Sequence, residues 1–471
     1  MRPNTALHRT PPVRAALPGR LAVQAVPPVS APVRPQNLGL FGRIAKYRYT
    51  LSVLPFFLSL DGKATAMLAL TPLYITGFMI LFASVNLFAK TNAEPNQKYV
   101  LSDLGILKHI GSEANAINDQ GEVIGTLGIE TSIETSAAKE SDEFSPQDNH
   151  TFLWNRNKVT DFGRSRAGLR INATGQILGF EYLPDFDLSD PSKMFQFSPI
   201  LYSEGKWKNI LPKGSVSGYP AALNDSGQVV GLLRLNGSPY TKLSPALWSG
   251  TDVHLLEIPP AYISGKVTGI NNAGQAIGFL QKVSAPPASY ETSAVLWDTA
   301  GLTLLGRLPD SGQSEAVAIN QRGLVLCLAT FNWEKFQKYM QEMLAGKKNP
   351  KKEGFSFGGY LWDHGKIIPL TDPQVTDPQV SVAGIDASKG YVPRAMNDHD
   401  IVVGRAADFS GASLAFIWEN HKMIDLNTLI ASGSGWHLTE AKDINNKGQI
   451  VGQGKYEGRS HAFLLTPITP G

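Results

Sequence analysis

One short motif occurs seven times in this chain and constrains its fold more than any other feature of the sequence. The copies are centred on the asparagines Asn118, Asn172, Asn224, Asn271, Asn320, Asn397 and Asn445. Successive copies are separated by 54, 52, 47, 49, 77 and 48 residues. A period near fifty residues is typical of repeat architectures, in which each repeat is one supersecondary unit.

The motif itself predicts a tight hairpin. The first copy runs from Ala116 to Gly125, and the last copy, from Asp443 to Gly452, has the same pattern. An apolar residue precedes the asparagine, a glycine follows three residues later, and strand-forming residues come next. Asparagine and glycine both tolerate the left-handed backbone that a tight turn requires. Each motif is therefore read as the turn between two antiparallel strands.

Two further strands follow each hairpin. A segment that ends in tryptophan supplies the third strand, and a shorter segment such as Val159 to Gly163 supplies the fourth. The tryptophans stand at Trp154, Trp248, Trp297, Trp362 and Trp418, and Tyr202 takes this place in the second unit. Because the asparagine and the tryptophan recur in the same place, both are interpreted as structural residues and not as a site.

The pattern predicts an all-β fold, a seven-bladed β-propeller of four-stranded blades over residues 99–471. The alternative is an open solenoid, which would need atypical capping units at its ends. The last unit stops after Ala462–Leu465 without a fourth strand, and Tyr99–Gly105 resembles the missing strand. We therefore expect this N-terminal strand to complete the last blade and close the ring, which removes open sheet edges.

The first hundred residues have a different composition. Residues 1–63 contain nine Lys or Arg and one acidic residue, and are interpreted as a disordered basic segment. Residues 64–90 include a run of 25 uncharged residues at 65–89, long enough to cross a bilayer as a helix. The basic excess upstream predicts that the N-terminus stays in the cytoplasm and the repeats are exported.

Two interpretations of this apolar segment stay open. It is a retained single-pass anchor, or an export signal cleaved near Thr91–Ala93. Residues 91–98 are a linker in either case. Within the repeats, Trp333, Phe336, Met340 and Met343 fall at helical spacing, so a helical insertion is expected at about 331–357. This helix is interpreted as packing on the propeller, with partner docking as the alternative.

The sequence offers no catalytic, cofactor-binding or metal-ligating residues. It has neither a nucleophile elbow nor a zinc-binding spacing of Cys and His, which favours a non-enzymatic protein without a cofactor. From residue 64 onward, 34 basic and 39 acidic residues leave a mildly acidic chain, which argues against nucleic-acid binding. The single cysteine, Cys327, is expected to be a small buried residue of a strand.

The units resemble the HAF repeat of probable extracellular bacterial proteins. That pattern combines an Ile-Asn-x-x-Gly-x-Val-Val-Gly hairpin with a His-Ala-Phe-Leu-Trp strand and an Asp-Leu-Gly strand. Here His461–Leu464 and Asp103–Gly105 match it literally, and His150–Trp154 matches closely, while Tyr202 and Cys327 depart from it. The resemblance covers about residues 99–466. It implies export and a propeller-like fold, and it transfers no activity or catalytic residue.

The sequence thus predicts an exported, monomeric cell-envelope or extracellular propeller. It is expected to bind an unknown protein or polysaccharide partner, and to contact the membrane through residues 65–89. The alternative function is an envelope hydrolase or lyase with its site at the central channel, because propellers assemble sites from the loops of different blades. Carboxylates or histidines grouped at the channel mouth would favour the enzyme. Ser, Asn and apolar residues there would favour the binding protein.

Overall fold

The structure is a computed structural model that describes residues 97–468, apart from 106–110, 128–149, 165, 185, 187–195, 240–241, 251, 285–288, 345–354, 371–389 and 408–411. The predicted basic segment, membrane segment and first part of the linker, residues 1–96, lie outside the described residues. Among the helices that the structure describes, none has the length and apolar character needed to cross a membrane.

The described chain forms seven antiparallel sheets of four strands, which confirms the predicted seven-bladed propeller. Blade 1 contains β2 (Ser112–Ile117), β3 (Val123–Leu127), β4 (His150–Asn155) and β5 (Lys158–Asp161); blade 2 contains β6 (Arg166–Ile171), β7 (Ile177–Tyr182), β8 (Phe197–Ser203) and β9 (Lys206–Asn209). Blade 3 contains β10 (Ser215–Leu223), β11 (Val229–Leu235), β12 (Ser244–Ser249) and β13 (Asp252–Leu255); blade 4 contains β14 (Ser264–Ile270), β15 (Ala276–Ser284), β16 (Ser289–Asp298) and β17 (Gly301–Leu304); blade 5 contains β18 (Ser311–Ile319), β19 (Val325–Phe331), β20 (Ser356–Asp363) and β21 (Lys366–Pro369). Blade 6 contains β22 (Tyr391–Met396), β23 (Val402–Ala407), β24 (Ser413–Glu419) and β25 (Lys422–Asp425); blade 7 contains β26 (Trp436–Ile444), β27 (Ile450–Tyr456), β28 (Arg459–Pro467) and β1 (Tyr99–Asp103).

The repeated motif forms the turn between the first and second strands of each blade. In blade 1, the amide of Gly121 donates to the carbonyl oxygen of Asn118 at 3.0 Å, and the glycine has a φ of 82°. The Asn118 side chain accepts from the amides of Gln120 and Glu122 at 3.1 and 2.9 Å. The glycine therefore supplies the left-handed backbone, and the asparagine satisfies the amides that the turn leaves open.

Blade 7 takes its fourth strand from the N-terminal end of the propeller. Strand β1 pairs antiparallel with β28, with Tyr99 opposite Pro467 and Asp103 opposite Phe463. The Nδ1 atom of His461 lies 3.1 Å from both carboxylate oxygens of Asp103, so a polar contact joins residues that are 358 positions apart. The segment around Leu104, which is 2% exposed, is thereby held against the last blade.

Apolar side chains fill the joints between blades. The described residues contain seven buried apolar clusters, and each spans two neighbouring blades. One of them joins Val451, Ala462 and Leu464 of blade 7 to Ala114 and Phe152 of blade 1. Burial of apolar surface stabilises these joints by about 25 cal/mol per Å² removed from water. Since the seventh joint returns to blade 1, the described blades form a closed ring.

The tryptophans lie in or beside these joints, in agreement with their structural interpretation. Trp248, Trp297 and Trp418 are 1%, 5% and 4% exposed. The indole nitrogen of Trp297 also donates to the carbonyl oxygen of Glu257 in the preceding blade, at 2.9 Å. The tryptophan therefore contributes both buried area and, in blade 4, a hydrogen bond across the joint.

Among the described residues, two short helices lie outside the blades. Helix α1 (Trp333–Leu344) follows β19, and a 3₁₀-helix (Leu426–Leu429) follows β25. On α1, the ring of Phe336 packs edge-on against Phe355 and Phe357, with centroids 5.1 and 5.6 Å apart. The described part of α1 therefore contacts aromatic residues that lead into β20 of its own blade.

Candidate ligand-binding channel

The first strands of all seven blades surround a central cavity of about 720 Å³. Two sets of side chains face it. The outer ring stands five residues before each motif asparagine: Glu113, Ala167, Tyr219, Lys266, Glu315, Val392 and Glu440. The bulge ring stands three residues before it: Asn115, Leu169, Ala221, Thr268, Val317, Arg394 and Lys442. Alternate residues of a strand point to the same side, so this spacing brings both rings to the channel.

A β-bulge occurs at the same place in every blade and gives the bulge ring its name. The pairing of the first two strands skips one residue between Ala114 and Ala116, and it skips the equivalent residue in the other six blades. A bulge leaves one residue unpaired and re-aims its side chain. Asn115 and Thr268 use this freedom to donate to backbone carbonyls of the next blade, at 3.2 and 2.7 Å.

Charged side chains of opposite sign form ion pairs across two blade joints of the channel. Arg394 of the bulge ring donates to Glu440 of the next blade at 2.6 Å, and Lys442 makes an ion pair with Glu113 of the blade after that. Burial raises the pKa of the Glu315 carboxyl, while Lys266 and a hydrogen bond from Thr292 oppose this rise. Two carboxylates of the channel, those of Glu113 and Glu440, are therefore held in ion pairs.

Arg170 and Asp443 occupy the narrower part of the channel, a cavity of about 160 Å³. The guanidinium of Arg170 donates to the carbonyl oxygen of its neighbour Leu169 at 2.9 Å. Asp443 accepts from the amides of Ile117 and Ile444 at 2.9 and 3.0 Å. Burial raises the pKa of the Asp443 carboxyl to about 6, although these amides and the charge of Arg170 oppose the rise.

An aromatic wall stands on one side of the channel mouth. It consists of Phe180, Tyr182, Phe186, Phe197 and Tyr219, whose neighbouring ring centroids lie 4.6 to 5.6 Å apart. Phe180 is buried and the others are half-buried. Burial raises the pKa of the Tyr182 and Tyr219 hydroxyls, so both stay protonated and able to donate at neutral pH. The mouth thus combines flat apolar faces with charged groups.

The other end of the channel is narrowed by an apolar ring. The residue before each motif asparagine contributes to it: Ile117, Ile171, Leu223, Ile270, Ile319, Met396 and Ile444. Six of these seven side chains are between 5% and 9% exposed. Beyond them lies a shallow polar cup of about 200 Å³. The apolar ring therefore separates the charged cavity from this polar cup.

The motif asparagines form a second ring around this closed end. In six of the seven, the side-chain Nδ2 atom donates to the backbone carbonyl of the next motif asparagine at 2.9 to 3.1 Å, and the chain of bonds passes from Asn445 back to Asn118. Asn320 departs from the pattern and donates to Asp400 at 3.0 Å. The asparagines therefore fasten neighbouring blades to each other, in addition to shaping the turns.

The residue after each asparagine builds a third ring at the rim of the cup. In six blades its backbone amide donates to a side-chain oxygen of the equivalent residue in the next blade, at 2.8 to 3.0 Å. The series is interrupted between Asp119 and Ala173, because alanine has no acceptor. These contacts across blades support the interpretation that the repeated asparagine motif is structural.

Sequence reasoning identified none of the channel residues. Among the residues that the structure describes, no group of three or more His, Cys, Asp or Glu side chains is placed to share a metal ion. The absence of catalytic, cofactor-binding and metal-ligating residues stays a prediction. Cys327 is fully buried, and burial raises the pKa of its thiol to about 12. The channel residues could have been found by taking the residues five and three positions before each motif asparagine.

Comparison with known proteins gives matches to solved structures alone. No family model matches the chain, and no curated protein matches it. The β-propeller domain of the Trilobed protease from Pyrococcus furiosus is 14% identical, with a TM-score of 0.46 over 79% of this chain and 99% of that one. A Pyrococcus horikoshii acylaminoacyl peptidase is 13% identical, with a TM-score of 0.43 over 76% of this chain and 52% of that one.

A sialidase from Trypanosoma rangeli is also similar. It is 9% identical, with a TM-score of 0.35 over 78% of this chain and 59% of that one. The chain thus spans little more than half the length of the peptidase and the sialidase. At these identities and TM-scores the likeness says nothing about the activity of this chain.

Proposed function

We propose that the chain is an exported cell-envelope protein whose propeller acts as a binding or scaffold module for a polysaccharide or protein partner. The ligand site is the mouth of the central channel. The observation that carries this proposal is the aromatic wall at Tyr182 and Tyr219, which faces the charged side chains of the outer and bulge rings. Flat apolar faces beside directed polar groups are typical of a ligand pocket.

A polysaccharide fits this mouth better than a folded protein surface. A sugar ring offers an apolar face to an aromatic side chain, and its hydroxyls both donate and accept. The carboxylates and cations of Glu113, Lys442, Arg394 and Glu440 supply both kinds of partner. The channel is concave and narrows inward, so it takes an extended chain end or a loop rather than a flat surface.

The binding test uses the whole protein and a panel of neutral and acidic oligosaccharides in isothermal titration calorimetry. Tyr219→Ala removes the ring at the mouth and is expected to weaken binding at least tenfold, about 1.4 kcal/mol. Tyr339→Ala is the matched control, because Tyr339 packs on Phe355 in the insertion and lies outside the channel. Equal affinities of the two variants would reject the channel mouth as the site.

The export of the propeller is part of the proposal. It is supported by the uncharged run at 65–89, by the basic excess before it and by the resemblance to HAF repeats of probable extracellular proteins. Reporter fusions after Gln97 test the orientation, and activity of a reporter that functions only in the cytoplasm would contradict it. N-terminal sequencing of the mature protein distinguishes the membrane anchor from the cleaved signal.

The proposal also gives strand β1 the role of keeping the ring closed in a protein that acts as a monomer. Its support is the antiparallel pairing with β28 and the contact between His461 and Asp103. Without β1, the edge of β28 would be free to pair with another chain.

A second candidate function is an envelope hydrolase or lyase. Two carboxyl groups with raised pKa values, Glu315 and Asp443, open onto the same channel, and such groups can act as general acids near neutral pH. If this is correct, the protein cleaves an acidic or neutral polysaccharide, and Glu315→Gln abolishes the cleavage while binding persists. Unchanged polysaccharide chain length after long incubation with the native protein would exclude this candidate.

A further inference from the structure

A second cavity, of about 520 Å³, lies at the joint between blades 5 and 6. Its floor is apolar and includes Leu324, Leu361, Ile401 and Trp418. It opens among the turns that join first to second strands and third to fourth strands. Tyr182, which lines the channel, lies at the opposite end of its strand β7, and Phe197, which packs against it, lies at the corresponding end of β8. The two cavities therefore open on opposite ends of the propeller.

The repeat pattern breaks at this joint. Four residues after the motif asparagine, five blades carry Glu or Gln, and the side chain accepts a bond from that asparagine at 2.7 to 2.9 Å. Blades 5 and 6 carry Leu324 and Ile401 at this position, and both line the cavity. Blades 5 and 6 therefore lack this polar contact, and apolar side chains take the place of the Glu or Gln at the cavity.

A third departure lies in the same turn. Six motifs have glycine three residues after the asparagine, whereas blade 6 has Asp400 with a φ of 64°. A non-glycine residue in this conformation is strained and persists only where its surroundings fix it. Here Arg322 makes an ion pair with the Asp400 carboxylate, and Asn320 donates to it. Asp400 therefore takes the conformation that glycine takes in the other six motifs, and two polar partners hold its carboxylate at the cavity.

Histidines from three separate turns line this cavity. His364 belongs to the turn between β20 and β21, His399 to that between β22 and β23, and His421 to that between β24 and β25. The backbone of His364 and His421 is left-handed, with φ of 46° and 60°. The His421 ring stands edge-on to the buried Trp418, with centroids 5.5 Å apart.

We propose that this cavity is a second binding site, specific for an uncharged carbohydrate. Every carboxylate on it already has a cationic or imidazole partner: Asp400 has Arg322, Asp363 has His364, and Glu419 has Lys98. Each carboxylate keeps further lone pairs for hydroxyl donors, and the imidazoles of His399 and His421 both donate and accept. Hydroxyls match this mixture, and the apolar floor matches the CH face of a sugar.

Ligands of other classes fit less well. The cavity has three carboxylates and one arginine, so its charge disfavours an anionic ligand. The carboxylates already form ion pairs, so a cationic ligand would gain little further electrostatic attraction. A metal ion would need ligands that converge, and among the described residues no such group is present. A site here is independent of the channel proposal.

The experiment is a titration of the full protein with four neutral tetrasaccharides, namely cellotetraose, maltotetraose, mannotetraose and chitotetraose, with tri-galacturonate as the acidic probe. His399→Ala and His421→Ala are expected to weaken the binding of at least one neutral probe tenfold or more. Both histidines are exposed, so neither change disturbs the core. His254→Ala is the matched control, because His254 is an exposed histidine of β13 outside both cavities.

A fourth variant tests the break in the repeat itself. Asp400→Gly restores the residue of the other six motifs and relieves the left-handed strain, so the fold is retained while the polar rim is lost. It is expected to weaken the same neutral probe by a similar factor, and thermal unfolding confirms that the variant is folded.

The outcomes separate this proposal from the channel proposal. If no neutral probe binds, or if the histidine variants bind like His254→Ala, the second site is rejected. Loss of binding in Tyr219→Ala alone would support the channel and reject the second site. Loss in the histidine and Asp400 variants with an unchanged response in Tyr219→Ala would support the second site and reject the channel. If the histidine variants lose affinity for tri-galacturonate only, the proposal of an uncharged carbohydrate ligand is rejected.

Discussion

The ring of motif asparagines predicts a large loss of stability when one member is removed. Asn271 is 1% exposed and its side chain forms four hydrogen bonds. It donates to Gln275 and to the carbonyl oxygen of Asn320 at 2.8 and 3.1 Å, and it accepts from the amides of Ala273 and Gln275 at 3.1 Å. At about 1 kcal/mol net for each bond, Asn271→Ala should lower the free energy of unfolding by about 3 to 4 kcal/mol.

Asn271→Asp isolates the donated bonds, because the aspartate keeps both accepted ones. At neutral pH its carboxylate would face two acceptor oxygens, so the cost should equal or exceed that of the alanine variant. Burial beside acceptors raises the folded pKa of this carboxyl above its unfolded value. The variant is therefore expected to lose stability as pH rises through this interval, and its deficit should narrow in acid.

The assay is reversible urea unfolding, followed by circular dichroism and tryptophan fluorescence in parallel. Asn320→Ala should cost less than Asn271→Ala, because the Asn320 side chain makes three bonds and donates to Asp400 instead of to the next carbonyl. Asn236→Ala, at an exposed turn, is the control and should change stability by less than about 0.5 kcal/mol. A cost below about 1 kcal/mol for Asn271→Ala would refute the role of the ring.

Three further outcomes are expected. Deletion of residues 97–105 should lower the midpoint of thermal unfolding and promote association of the freed β28 edge, and an unchanged melting curve and sedimentation profile would refute the closing role of β1. The Asp443 carboxyl has a folded pKa of about 6 against an ordinary 3.8, so it destabilises the fold as pH rises from about 4 to 6. Asp443→Asn should therefore gain about 2 kcal/mol relative to the native protein between pH 4 and 7, and a difference independent of pH would contradict this. Cys327 should resist thiol reagents until the protein unfolds, and rapid labelling of the native protein would show that its strand is accessible.

The fold was predictable because it depends on local patterns that recur. A hairpin turn such as that at Asn118 is encoded within ten residues, and seven copies specify seven blades. The bonds from each asparagine to the next blade were not predictable, since they depend on how closely two blades pack. The sequence does not distinguish an asparagine that only shapes its own turn from one that also bonds to the next blade.

Only part of the candidate sites could be predicted from the sequence. The outer and bulge rings follow from period-two alternation once the repeats are aligned on their asparagines, and Glu113, Lys266 and Glu440 then stand out as charges on the innermost strand. The aromatic wall was hidden, because Tyr182 and Tyr219 belong to different blades. The substitution of Asp400 for glycine was visible in the sequence, but its meaning depends on His421 and Arg322, which tertiary structure brings beside it.

The proposed function depends above all on the binding of a carbohydrate ligand at the aromatic mouth of the channel. A crystal structure of the protein with the tightest-binding oligosaccharide tests it most directly. We expect a sugar ring against Tyr219, with its hydroxyls within hydrogen-bond distance of the outer-ring or bulge-ring charges. An empty channel under saturating ligand, with the sugar bound only elsewhere on the propeller, would contradict the claim.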